Sequence, residues 1–93
     1  MDAVVVVVKM QLKKDVRIVK RPNKTLIFST DVGILYEVNK TGELILDLLK
    51  NRQTKNQLYK EMHKQFPKIN RKKLQKDIDE FLKKLWQAHL LEK

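Results

Sequence analysis

No cysteine occurs in the 93 residues, which excludes disulfides, thiolate metal sites and cysteine nucleophiles. Ser29 is the only serine, and no Ser-His-Asp grouping can be built around it. Two glycines and two prolines leave no room for a glycine-rich phosphate loop. His63 and His89 are the only imidazoles and fall on different expected helices, which argues against a metal site. The chain therefore reads as a non-enzyme without a cofactor. Long apolar runs are also missing. Val4–Val8 is too short to cross a bilayer or to form the core of an export signal, and Asp2 rather than a basic cluster precedes it. The cytoplasm is the expected compartment, and no membrane partner is expected.

What is present is a foldable, strongly basic single domain. The apolar fraction of 42% is enough for a packed core, and the length allows one such core. Lys and Arg number 21 against 11 Asp and Glu, a formal net charge of +10. That excess favours an anionic partner such as an acidic peptide, an acidic protein surface or nucleic acid. Only four of the positive charges are arginine (residues 17, 21, 52 and 71), the side chain suited to bidentate contacts with bases and phosphates. The balance tilts away from sequence-specific DNA reading.

From Asp15 onward the pattern predicts three strands followed by three helices. Val16 and Ile18 alternate with Arg17 in the first strand. "RPNK" at 21–24 is a turn, and "TLIFST" is the second strand. Asp31-Val32-Gly33 turns the chain again, with Gly33 free to take positive φ. "ILYEV" at 34–38 is the third strand, with Ile34, Tyr36 and Val38 on one face and Leu35 and Glu37 on the other. Connections this short give an antiparallel meander whose third strand keeps one edge open. The β-branched residues of Val4–Val8 predict a further strand that docks on a sheet edge. A second copy of the chain could supply that edge, giving a homodimer.

At Asn39 the apolar period changes from two to 3.6. Asn39 caps a first helix with the stripe Leu44, Ile45, Leu48 and Leu49, and Asn51 is its expected C′ residue. "TKNQ" at 54–57 is a capping box opening a second helix striped by Leu58, Met62 and Phe66, which Pro67 stops. Asn70 caps a third helix reaching about His89, with Leu74, Ile78, Phe81, Leu82, Leu85 and Trp86 on its apolar side. Arg71, Lys72 and Lys73 occupy its first turn, where the macrodipole disfavours cations.

Three strands, then "LYEVNKTGELILDLL", then "T..QL...M...F", then "KDIDEFLKKLWQAHLL" together resemble the PqqD-like family over about Asp15 to Leu91. These are precursor-peptide recognition elements of ribosomally made, post-translationally modified peptide pathways. The chain departs from the family pattern in Val4–Val8 and in Ala88-His89, where a glycine often precedes the final hydrophobic pair. The resemblance implies an α+β, winged helix-turn-helix-like fold: a three-stranded antiparallel sheet followed by three helices. Residues 1–14 would form an N-terminal extension and 15–93 the recognition domain. It also implies that a precursor's leader peptide adds as a strand to the third strand, in a cleft walled by the third helix. The matching positions are Ile34, Leu35, Tyr36, Glu37 and Val38 on the strand, and Leu74, Ile78 and Phe81 on the helix. Lys73, Lys76 and Asp77 flank them. Such a module presents the peptide to a modifying enzyme, commonly a radical S-adenosylmethionine enzyme. The rival reading is a winged-helix nucleic-acid binder offering Arg71, Lys72, Gln75 and Lys76 to a groove. Against it, the strands precede the helices, whereas the usual wing follows the recognition helix.

Overall fold

The computed structural model describes residues 8–31 and 33–93. The elements follow in the order β1 (Gln11–Leu12), β2 (Val16–Lys20), β3 (Thr25–Ser29), β4 (Ile34–Val38), α1 (Lys40–Leu48), α2 (Lys55–Gln65), α3 (Arg71–Gln87) and β5 (Leu91–Glu92). The expected α+β architecture is present: β2-β3-β4 form an antiparallel sheet in sequence order, and three helices follow. Of Val4–Val8, residues 4–7 lie outside the described residues, and Val8 belongs to no strand.

Each helix starts where a short polar side chain can satisfy the first free N–H groups. Asn39 Oδ1 accepts from the Gly42 N–H at 2.8 Å. Thr54 and Gln57 form the reciprocal capping box, with bonds of 2.8 and 3.1 Å. Asn70 Oδ1 accepts from the Lys72 and Lys73 N–H groups. Helix α2 stops before Pro67, with Phe66 at a non-helical φ of −129° and ψ of 64°. Helix α1 ends earlier than its apolar pattern suggests. Leu49 is the C-cap, so Asn51 lies beyond the C′ position.

The core sits between the inner sheet face and the helices. Ile27, Ile45, Leu46, Leu49, Leu58, Met62, Ile78 and Leu90 are fully buried, and such side chains contribute about 1.5–3 kcal/mol each on burial. The α1 stripe is rotated slightly: Leu46 enters the core, while Leu44 and Leu48 are only partly covered. On β3 the inward residues are Thr25, Ile27 and Ser29. The two buried hydroxyls are satisfied: Thr25 Oγ1 donates to Glu43 Oε2 at 2.6 Å, and Ser29 donates to Asp15. Glu43 also lies 3.5 Å from Lys20 Nζ, which reaches Asp47 at 2.9 Å. This polar clamp fastens the end of the sheet to α1.

A second sheet, β1 with β5, closes the helical side. Met10 and Gln53 exchange backbone bonds of 2.8 and 2.9 Å, and the Leu12 N–H donates to the Leu49 carbonyl at 2.9 Å. Met10 and Leu12 are buried, so residues that sequence places in the extension pack into the same core. The chain reaches β5 through a Schellman turn: the Leu90 N–H bonds Leu85 O and the His89 N–H bonds Trp86 O, both at 3.0 Å. The left-handed position of that turn, φ 60°, is held by His89 where glycine is usual.

Candidate peptide-binding site

Strand β4 pairs with β3 on one side only; its other edge has no strand beside it among the described residues. The ladder fixes which backbone groups face outward. Arg21 N–H bonds Lys24 O at 2.8 Å across the β2–β3 turn, so hydrogen-bonded and non-bonded pairs alternate from there. Thr25–Val38 and Ile27–Tyr36 are then bonded pairs, whereas Leu26–Glu37 and Phe28–Leu35 are not. Leu35 and Glu37 each turn one N–H and one C=O toward the free edge. At the far end, Gly33 takes φ 71° and donates its N–H to Ser29 O at 2.9 Å, closing the β3–β4 turn.

The inner side of this edge opens onto a hollow of about 290 Å³ between β4 and the C-terminal half of α3. Ile27 lies at its base, Tyr36, Glu37 and Val38 form the strand wall, and Phe81, Lys84, Leu85 and Ala88 form the helix wall. Phe81 also borders a second hollow, of about 300 Å³, lined by Asn39, Thr41, Gly42 and Asp77. Tyr36 shares its hollow with the end of α3, and Asn39 shares its own with the middle of that helix. The helix therefore runs past the strand in the opposite sense. Gly42 makes the close crossing possible: a Cβ there would sit 3.1 Å from the Phe81 ring and 3.2 Å from Val38 Cβ. Tyr36 is 47% and Leu35 65% exposed, unusually high for large apolar side chains on one short strand.

The site residues expected from sequence divide into two groups. Tyr36, Glu37, Val38 and Phe81 meet in the first hollow, and Asp77 with Phe81 lines the second. Ile34 begins the strand, and Leu35 lies on its outer face. Leu74 and Ile78 are instead buried in the core, at 2% and 0% exposure. Lys73 is paired with Asp77 at 3.8 Å, and Lys76 is exposed on the flank. Lys84, Leu85, Gln87, Ala88 and Leu90 also line the groove, although sequence did not single them out as site residues. Their only signal is the continuation of the Phe81 stripe at Leu85 and Ala88, which reads equally as core.

The chain has known relatives in sequence and in fold. Residues 24–91 match the family described as coenzyme PQQ synthesis protein D (PqqD). The chain belongs to the PqqD family. No curated protein matches it. Among solved structures, a complex of TbiB1 with the TbiA(beta) leader peptide superposes with a TM-score of 0.76 at 17% identity, covering 88% of this chain and 94% of the other. A lasso peptide synthetase B1 complexed with a leader peptide gives a TM-score of 0.76 at 13% identity, over 92% of this chain and all of the other. The PqqD truncation of Methylobacterium extorquens PqqCD, described as a stand-alone recognition element, gives 0.73 at 20% identity, over 91% and 89% of the two chains. At these identities the superpositions establish a shared fold. This PqqD-family chain keeps that fold with His89 at the left-handed turn position.

Proposed function

We propose that this PqqD-family chain binds the leader region of a ribosomally made precursor peptide and presents it to a peptide-modifying enzyme, a radical S-adenosylmethionine enzyme being the expected partner. The leader adds as a strand along Ile34–Val38. The observation that carries this reading is the unpaired β4 edge, whose outward N–H and C=O groups at Leu35 and Glu37 border an apolar groove. Backbone bonds then supply affinity, and the groove selects alternate side chains of the peptide. A residue directed inward between Tyr36 and Val38 would meet Ile27, Phe81 and Leu85, surroundings suited to a large apolar side chain. Two of the similar structures hold leader peptides, which supports the same reading. The module itself does no chemistry.

The test is a titration of candidate precursor peptides, taken from short reading frames sought beside the gene, followed through Trp86, the only tryptophan. Trp86 lies on α3 itself, partly buried and packed against the core. Saturable binding that a leaderless core peptide fails to reproduce supports the proposal. Tight, sequence-dependent binding of duplex DNA, with no response to the precursor, would overturn it.

A further inference from the structure

A second cleft, of about 460 Å³, opens between α2 and the first turns of α3. Lys60, His63 and Lys64 reach it from α2 and Arg71 from α3, Tyr59 adds apolar surface above the buried Leu74, and no carboxylate is among its lining residues, though the Tyr59 hydroxyl donates to Asp79. Lys64 is held by Glu61 at 3.3 Å. Lys60 and Arg71 form no ion pair among the described residues. His63 Nδ1 is shielded from solvent and has no hydrogen-bond partner among the described residues. The wide basic cleft at the β2–β3 turn differs, since Glu37 and Glu43 line it beside Lys20, Arg21, Lys24 and Lys40. Gathering uncompensated cations in a concave surface raises their mutual repulsion, and an anionic ligand relieves it.

We propose that the α2–α3 cleft is the docking site for an acidic segment of a partner protein, the enzyme that receives the leader peptide. The identity of that partner rests on the function proposed above; the preference of the cleft for carboxylates does not. Counting about 100° per residue, Arg71 and Gln75 lie about 130° around α3 from the groove residues Asp77, Phe81, Lys84 and Ala88. Both sites can therefore be filled at once, as presentation of a peptide requires. A carboxylate-bearing chain fits better than a duplex for two reasons. Arg71 is the single guanidinium in the cleft. The Lys64 ammonium is also engaged by Glu61, which leaves few cations free for the row of phosphates a duplex presents.

The experiment follows backbone amide shifts of the full ¹⁵N-labelled chain at low salt, with a capped hexaglutamate peptide as probe. Shifts should gather at Tyr59, Lys60, His63, Lys64 and Arg71. The double variant Lys60→Glu/Arg71→Glu should weaken probe binding about tenfold or more, whereas Lys13→Glu/Lys14→Glu should leave it near wild type. Neutral Lys60→Gln/Arg71→Gln, checked for an unchanged circular dichroism spectrum, should fall between them. Shifts scattered over lysines generally, or equal loss in both charge-reversed pairs, would overturn the proposal. So would tighter binding of random-sequence duplex DNA than of hexaglutamate at the same residues. Titrating the precursor peptide on the same samples separates the two readings: its shifts belong at Leu35–Val38 and should survive the cleft variants.

Discussion

Replacing Leu35 with proline is the sharpest perturbation of the proposed binding edge. Proline removes one backbone N–H and fixes φ near −65°, and on a paired edge it would break the ladder. At Leu35 the missing N–H is an outward one, so the bonds to β3 through Tyr36 and Val38 survive. The side chain is 65% exposed, so little packing is lost. A bound leader would lose one intermolecular bond, about 0.5–1.5 kcal/mol, and its facing carbonyl would be left unsatisfied at about 1–3 kcal/mol. The sum, about 1.5–4.5 kcal/mol, weakens binding from about tenfold to more than a thousandfold. Leu35→Ala controls for the side chain and should cost far less than Leu35→Pro. Fluorescence anisotropy of labelled precursor gives the affinities, and circular dichroism confirms that each variant is folded. A folded Leu35→Pro protein that binds within about twofold of wild type would refute edge pairing.

Three further outcomes follow from the same geometry. Gly42→Ala places a methyl 3.1 Å from the Phe81 ring and 3.2 Å from Val38 Cβ, so the ring that lines the groove must shift slightly; precursor affinity should fall about three- to tenfold in the anisotropy assay, with a melting temperature changed less than overpacking of a closed core would cause. His89→Gly relieves the left-handed backbone at φ 60° and should stabilise by about 1 kcal/mol, raising Tm by about 4–8 °C in a thermal melt. The Thr25 hydroxyl holds the Glu43 carboxyl below its ordinary value of 4.5, with Lys40 and Lys20 adding to the effect. A depressed folded pKa means that this contribution is complete above 4.5 and is lost as pH falls through the folded value. Glu43→Gln should therefore lower Tm at neutral pH and lose less than wild type between pH 4.5 and more acid solution, leaving the remaining acid sensitivity to Asp15 and Asp47.

How much of this was legible depends on whether a feature is local. The caps at Asn39, Thr54 and Asn70 use neighbouring residues only, and all three form as the sequence predicts. The open edge follows from two short turns and a sequential meander, so it could be read before any packing was known. The inward face of β3 could not. Leu26 and Phe28 look like core, yet Thr25 and Ser29 are the buried partners because Glu43 and Asp15 stand ready to accept their hydroxyls. Strands β1 and β5 have two residues each, too few to show a period. The groove wall at Lys84 and Ala88 depends on α3 passing β4 in the opposite sense, a long-range relation that sequence spacing does not carry. Leu74 and Ile78 lie on nearly the same face of α3 as Phe81, two turns and one turn earlier along the axis, and only the packed structure separates core from groove.

The most direct test of strand addition is amide hydrogen exchange at β4 with and without the precursor peptide. The ladder makes a residue-by-residue statement: Tyr36 and Val38 amides are already bonded to β3, whereas those of Leu35 and Glu37 face the open edge. Adding the precursor should slow exchange at Leu35 and Glu37 by about 100-fold, with little further change at Tyr36 and Val38. Unchanged exchange at Leu35 and Glu37 in a sample saturated with peptide would contradict strand addition at this edge.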